Sequence, residues 1–129
     1  LTIGSTTTTS ALTLNSGSGN INATGGNLKI ATTGKGLQIK TGAATDMAGS
    51  ANLTSGTVTI ANTGIATGDL IFLSRISPTG SGASTTLGIL SYTLINATSF
   101  TINSLIIGTP ASVQTNDNSS VAYFIVRGV

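Results

Sequence analysis

The first 40 residues alternate short apolar–polar–apolar triplets with turn-forming stretches. Each triplet has the period-two pattern of a strand that buries one face. Five triplets share this pattern: Leu1-Thr2-Ile3, Leu12-Thr13-Leu14, Ile21-Asn22-Ala23, Leu28-Lys29-Ile30 and Leu37-Gln38-Ile39. Gly, Asn, Ser and Thr fill the stretches between them, and these residue types favour turns. The pattern therefore predicts a loose repeat of very short strands.

A strand of three residues cannot bury its apolar face without a stacked neighbour. Residues 1–41 therefore predict a β-stalk in which three chains wind together, or a solenoid-like repeat. The alternative is that the triplets are edge strands of one globular sandwich. In the stalk, the triplets would supply an oligomer interface formed by Leu12, Leu14, Ile21, Leu28, Ile30, Leu37 and Ile39.

Residues 42–129 carry longer strand patterns and are predicted to form a separate head domain. The strand-like segments are residues 50–53 leading into 56–61, then 69–76, 86–95, 100–103 and 120–127. The continuous apolar run Leu70–Leu73 is typical of a central strand that is buried on both faces. Residues 108–119 are predicted to be irregular. Five or six strands at this spacing favour a small antiparallel β-sandwich, jelly-roll-like in form.

The composition favours the same all-β class. Ser and Thr make up about a third of the chain, and there is no Glu, His, Cys or Trp. Thr, Ile and Val are β-branched and fit a pleated sheet better than a helix. With aromatic residues at 4%, the core must be built mainly from aliphatic side chains and Thr methyl groups.

The titratable residues are too few to predict an enzyme. Without His, Cys or Glu, a His-based triad and a transition-metal cluster are excluded, and no cofactor is expected. The acidic residues Asp46, Asp69 and Asp117 all lie in turn-like settings, where Asp normally caps the backbone. Asn116-Asp117-Asn118 has the oxygen ligands that Ca²⁺ prefers, but one carboxylate makes a weak site, so a turn is favoured.

Four of the five aromatic residues are assigned to the core or to a strand surface. Phe72, Phe100 and Phe124 are predicted to be core residues. Tyr92 alternates with its neighbours in Ser91-Tyr92-Thr93, from which we expect an outward-facing ring. Tyr92 is therefore the candidate ligand surface, with an ordinary strand-surface position as the alternative.

Neither nucleic acid nor membrane is an expected partner. The five cations are spread along the chain rather than clustered, and the net charge is only +2. No apolar run approaches the ~18 residues that span a bilayer. The chain begins at Leu1 without a signal-peptide pattern, so we expect a processed start or a fragment of a longer protein.

Residues 35–126 resemble a module found near the C-termini of tail-fibre and other structural proteins of tailed phages. The segments that carry the resemblance are residues 35–42, 47–53, 55–63, 70–75, 87–90, 98–104 and 120–126. The resemblance implies a homotrimer in which a stalk leads into a β-sandwich head, and it implies no catalytic residues. The stretch Asn103–Ser119 departs from it, because similar modules have a shorter polar connection there.

These observations predict a non-enzymatic structural protein on the outer surface of a virion. It would be a trimeric fibre or spike, or a capsid-attached appendage, in contact with other virion proteins and with a host-surface glycan. Two alternatives remain open: a bacterial extracellular adhesin or surface-filament subunit, and a carbohydrate-binding module attached to an enzyme.

Overall fold

The structure is a computed structural model that describes residues 33, 37, 39, 41, 43–77 and 86–128. Its contacts divide the chain into two units, residues 1–37 and residues 38–129. The repeat predicted over residues 1–41 lies almost wholly outside the described residues. The stalk and the domain boundary after residue 41 therefore stay predictions, and the strands described belong to the second unit.

The described residues of this unit form seven antiparallel strands in two sheets. The strands are β1 (Ala48–Asn52), β2 (Thr57–Ala61), β3 (Leu70–Ser77), β4 (Ile89–Ile95), β5 (Ser99–Ile106), β6 (Thr109–Val113) and β7 (Ser120–Val126). The first sheet has the order β1-β7-β3, and the second has the order β2-β5-β4 with β6 also paired to β5. The prediction of an all-β fold with a small antiparallel sandwich is confirmed.

A tight turn takes the chain from the first sheet to the second. Ser55 and Gly56 both have positive φ, at 51° and 80°, which is the combination that a type I′ turn requires. The Thr57 amide donates to the Thr54 carbonyl across the turn, over 3.2 Å. A side chain at residue 56 would overlap the carbonyl of Gln114, so the position also needs glycine for space.

The core lies between the two sheets and is built from alternate residues of their strands. Phe100 and Ile102 of β5 are fully buried, and Val121 and Ile125 of β7 face them from the other sheet. The Phe100 and Tyr123 rings meet edge to face, with centroids 5.0 Å apart. Each fully buried aliphatic or aromatic side chain contributes about 1.5–3 kcal/mol to folding. The prediction that Phe100 is a core residue is confirmed.

Strand β3 differs from its prediction. It lies at the edge of the first sheet, not at the centre, and only one of its faces is covered in the single chain. Phe72 is 58% exposed and its cross-strand neighbour Phe124 is 40% exposed, so the assignment of both rings to the core is wrong. The physical reason is their register: they occupy the alternate positions that point away from the second sheet.

Two further strands depart from the sequence pattern. Residues 48–52 form β1 in the first sheet, whereas β2 belongs to the second, so the two segments are not one continuous strand. Strand β6 lies within the stretch 108–119 that was predicted to be irregular. Its Val113 pairs with Leu105 of β5, which gives the short strand a partner that its own sequence does not reveal.

Candidate functional site

An arginine and an aspartate 42 positions apart form an ion pair inside the sandwich. Arg75 is at an inward-facing position of β3, and Asp117 lies in the loop before β7 with its side chain fully buried. One guanidinium nitrogen, Nη1, donates to both carboxylate oxygens, at 3.0 Å and 2.7 Å. It also donates to the hydroxyl of Ser119. Asp117 therefore neutralises the charge of Arg75 at the point where the arginine side chain enters the interior.

Ser104 of the second sheet and Gly88, which directly precedes β4, complete an arginine–aspartate cluster. The cluster comprises Arg75, Gly88, Ser104, Asp117 and Ser119. The Ser104 hydroxyl of β5 donates to Asp117 over 2.5 Å. The Gly88 amide donates to Ser104 over 3.0 Å, and the Gly88 carbonyl accepts from Arg75 Nη2 over 2.8 Å. The cluster thus ties β3 of the first sheet to β5 of the second.

The hydrogen bonds of the cluster keep Asp117 ionised. Burial by itself would raise the pKa of this carboxyl group. Hydrogen bonds donated by the Ser104 and Ser119 hydroxyls, together with those from the Ser119 and Gly88 amides, outweigh that effect and hold the pKa well below its usual range. Within the described part of the chain, every buried side-chain nitrogen and oxygen has a hydrogen-bond partner. The cluster therefore joins the two sheets.

The calcium interpretation of Asn116-Asp117-Asn118 is not supported by this geometry. Both Asp117 oxygens accept hydrogen bonds from Arg75 and the two serines. The Asn118 side-chain oxygen accepts from the Ser55 amide over 2.9 Å. These bonds occupy oxygens that a cation would need. Among the described residues, no three His, Cys, Asp or Glu side chains are grouped as a metal site requires.

The other two carboxylates cap turns, as the sequence predicted. Asp46 accepts from the Ala43 amide over 2.6 Å. Asp69 accepts from the amides of Ala66 and Gly128, over 2.9 Å and 3.1 Å. The bond from Ala66 lowers the pKa of Asp69, and burial acts against it. All three acidic residues of the chain therefore hold backbone or side-chain partners.

The outer face of the first sheet is apolar. Leu70, Phe72 and Ile76 of β3 and Phe124 and Val126 of β7 point away from the core, and each is exposed. Their register places Leu70 beside Val126 and Phe72 beside Phe124. These five side chains lie on the same outer surface, with Ser74 and Ala122 between Phe72 and Ile76, and we call the set the apolar face.

A shallow groove of about 550 Å³ adjoins the apolar face at Ile76. Small residues of β1 and β7 form much of its lining, among them Ala48, Ser50 and Ala122. The groove is an uncharged depression beside an uncharged surface, so it extends the apolar face towards β1.

The outer face of the second sheet has a different chemistry. Thr59, Thr101 and Thr93 lie side by side across β2, β5 and β4. The Thr59 and Thr101 hydroxyls are hydrogen-bonded at 2.8 Å, and Thr57 donates to the Asn103 side chain over 3.1 Å. Hydroxyl and amide groups thus cover the centre of this face.

The predicted site residues fall into three groups. Five residues of the predicted stalk interface lie outside the described residues: Leu12, Leu14, Ile21, Leu28 and Ile30. The other two, Leu37 and Ile39, are 68% and 37% exposed, and their part in an interface stays a prediction.

Tyr92 lies on the inward face of β4, together with Leu90 and Leu94, and is half-buried against the core. The expectation of an outward ring is wrong, because residues two apart in a strand share a face. Its role as a ligand surface stays a prediction.

Both the arginine–aspartate cluster and the apolar face have a signal in the sequence. Arg75 shares the inward parity of Ile71 and Leu73, so a buried acidic partner could have been expected. The continuous apolar run of β3 showed that both faces of the strand carry apolar side chains, which include the residues that the structure leaves exposed. Neither signal identified the partner, because a pattern within one strand carries no information about a contact outside it.

The described fold is a small β-sandwich whose polar interior cluster serves the structure and whose conspicuous surface is apolar. Residues 43–126 match the family model of the K1 capsule-specific polysaccharide lyase, C-terminal domain. The match covers about two thirds of the chain, and the chain therefore belongs to this family. The searches of curated proteins and of solved structures returned no match. Within the described residues there is no helix with the length and apolarity to span a bilayer.

Proposed function

We propose that this chain is a non-enzymatic structural module on the outer surface of a virion, built as a trimeric fibre or spike, or as a capsid-attached appendage. Other virion structural proteins would be its neighbours. The observation that carries the proposal is the family match over residues 43–126, because the family is a terminal domain of a longer polysaccharide-directed protein. The resemblance of residues 35–126 to phage tail-fibre modules supports the same setting.

The side-chain chemistry supports a role without catalysis. A lyase reaction needs a base that removes a proton and a group that stabilises the resulting negative charge. Asp117 and Arg75 neutralise each other inside the sandwich. Burial raises the pKa of Tyr123, and the negative charge of Asp46 raises it further, which makes that phenol a poor base at neutral pH.

A direct assay for eliminative cleavage tests this part of the proposal. Each cleavage by a lyase leaves a carbon–carbon double bond that absorbs in the ultraviolet. We expect no increase in absorbance when the chain is mixed with K1 capsular polysaccharide, while a complete K1 lyase gives an increase under the same conditions. An increase that scales with the concentration of this chain would contradict the proposal.

The location on the virion is tested by immunogold labelling. Antibodies raised against the chain should label the outside of intact virions whose genome encodes it. Disrupted particles should give no additional internal label. Label that appears only after disruption, or on the surface of uninfected bacteria, would overturn the proposed location.

We further propose that the module contacts a host-surface glycan. The family's name supports a polysaccharide as the chemical class, and the hydroxyl-rich outer face of the second sheet offers donors and acceptors of the kind that sugars use. Biolayer interferometry against K1 polysaccharide and an unrelated capsule tests this contact. Selective binding that is weakened by Thr93→Ala, on this outer face, would support the contact, whereas equal binding to both polymers would count against it.

A further inference from the structure

We propose that copies of this chain pack against one another through the apolar face of Leu70, Phe72, Ile76, Phe124 and Val126. The inference rests on the proposed function, which makes the chain an oligomer, and it adds where the copies meet. The occupant of the face is a further copy of this chain.

The first argument is the absence of charge. At the described outward positions of β1, β3 and β7, the side chains are aliphatic, aromatic, hydroxyl or amide groups, and none is charged. The central part of a protein–protein interface is typically depleted of charged residues and enriched in aromatic ones. Phe72 and Phe124, paired across the strands, supply aromatic groups at the middle of the face.

The second argument is the size of the exposed apolar surface. The five side chains are between 39% and 59% exposed. At roughly 150–200 Å² for each side chain, they present on the order of 450 Å² of apolar surface. A stable interface buries ~800 Å² per partner, of which ~57% is apolar. The apolar face therefore supplies about the apolar area that one partner contributes.

The third argument is the position of β3. It is an eight-residue strand at the edge of the first sheet, and its outward side chains are large and apolar. An exposed apolar edge strand promotes aggregation, and stable monomers protect such edges with Lys, Pro or a cover. Strand β3 contains neither Lys nor Pro, and its one cation, Arg75, is directed inward to Asp117. A neighbouring copy would provide the cover.

The outer faces of the two sheets differ in chemistry. This difference indicates which face forms the interface and what kind of surface covers it. At the centre of its outer face the second sheet exposes a row of threonines that is well matched to water, and its exposed isoleucines, Ile89 and Ile95, lie at the two ends of β4. The five side chains of the apolar face carry no hydrogen-bonding group, so they match another apolar protein surface better than a polar ligand such as a sugar. In a fibre made of one chain, a second copy of the same face is always available.

Introduced cysteines test the proposal without disturbing the fold. The chain has no native Cys. Ser74 lies among the apolar residues at the exposed outer surface of β3, and Thr93 occupies the matching central position on β4 of the second sheet. We expect the thiol of Ser74→Cys to react with iodoacetamide at least tenfold more slowly than that of Thr93→Cys in the folded chain. In urea the two rates should be equal. Equal rates in the folded chain would overturn the proposal.

Matched aspartate substitutions give an independent readout. Ile76 lies on the apolar face at 59% exposure, and Ile95 lies on the second sheet at 61% exposure. We expect Ile76→Asp and Phe72→Asp to weaken self-association at least tenfold in sedimentation equilibrium, and Ile95→Asp to leave it unchanged. Far-UV circular dichroism checks that each variant keeps the wild-type sheet content. Equal weakening by Ile76→Asp and Ile95→Asp would refute a specific interface.

The outcomes separate this inference from the proposed function. If the wild-type chain is oligomeric and the Ser74→Cys thiol reacts freely, the location is wrong while the trimeric module stands. If the wild-type chain is a monomer, both the interface and the trimer fail. Slow reaction of Ser74→Cys in an oligomer that Phe72→Asp dissociates supports both.

Discussion

At the scale of single residues, the buried ion pair of Arg75 and Asp117 is the polar contact that links the two sheets. The sequence showed an arginine in an apolar strand and an aspartate in a turn, and nothing local connected them. Their contact depends on packing β3 of one sheet against the loop that leads into β7. Capping by Asp46 and Asp69 was predictable, because those carboxylates bond to amides a few residues away.

Removing one member of this pair should destabilise the fold strongly. Asp117→Asn leaves the Arg75 guanidinium in the interior without its counter-ion, and breaking a buried ion pair in this way costs about 3–5 kcal/mol. Arg75 keeps 17% exposure of its side chain, which places the expected loss towards the lower end of that range. Urea unfolding at fixed protein concentration measures the change in free energy.

The matched control is the ion pair of Arg127 and Asp69, whose charged atoms are 3.9 Å apart and whose arginine side chain is 54% exposed. Arg127→Met should cost no more than about 1 kcal/mol, because solvent screens the charge of the exposed Arg127 and Asp69 keeps the hydrogen bonds from the Ala66 and Gly128 amides. If Asp117→Asn cost no more than Arg127→Met, the buried pair would not hold the sheets together in the way proposed.

The stability of the chain should also fall in acid. The folded state lowers the pKa of Asp117 below its usual value of 3.8. A lowered pKa means that its contribution is fully present above about pH 4 and is lost as the pH falls through the lower, folded-state value. Because Asp69 is present in both proteins, its contribution cancels when Asp117→Asn is compared with wild type. The difference in unfolding free energy between wild type and Asp117→Asn should therefore narrow below pH 4. A difference that stays constant down to pH 2 would contradict the lowered pKa of Asp117.

At the scale of elements, the sequence predicted strands well where apolar and polar residues alternate along the strand. Strand β2, with Val58 and Ile60 facing inward, lies at its predicted position, and β7 nearly does. Strand β6 was missed, because its five residues include Pro110 and pair with β5 over a shifted register. The place of β3 in the sheet was also missed, because apolar residues at successive positions do not show which face meets the partner sheet.

Gly49 in β1 should contribute as much to the stability of the fold as a core side chain does. Gly49 lies under the Tyr123 ring, whose hydroxyl and nearest carbons leave no room for a side chain. Phe100 supports the ring from another side, so the ring cannot simply move away. Gly49→Ala should destabilise the fold by about 1–3 kcal/mol, the usual cost of overpacking. Thermal or urea unfolding provides the measurement.

The neighbouring residue provides the control for this overpacking. Ser50 is exposed on the opposite face of the same strand, so Ser50→Ala should change stability by less than about 0.5 kcal/mol. A double-mutant cycle with Tyr123→Leu should show that the cost of Gly49→Ala shrinks when the ring is removed. An unchanged cost would mean that the ring is not the obstacle.

At the scale of the whole molecule, the fold class could be predicted, but the candidate contact surface could not. The Thr-rich alternation and the missing His, Cys and Glu pointed to a β-rich structural module. The predicted interface was assigned to the triplets of residues 1–41, whereas the described head carries an apolar face of its own. The run Leu70–Leu73 indicated a doubly covered strand, and a single chain covers one face only. The proposed association of copies would account for both observations.

The central claim is that the chain works as an oligomer whose heads meet at the apolar face. Multi-angle light scattering of the wild-type chain tests it most directly, because the mass of one chain is 12.7 kDa. We expect about 38 kDa, three times that mass, and a mass closer to that of a single chain for Phe72→Asp. A wild-type mass of 12.7 kDa that does not change with concentration would contradict the account.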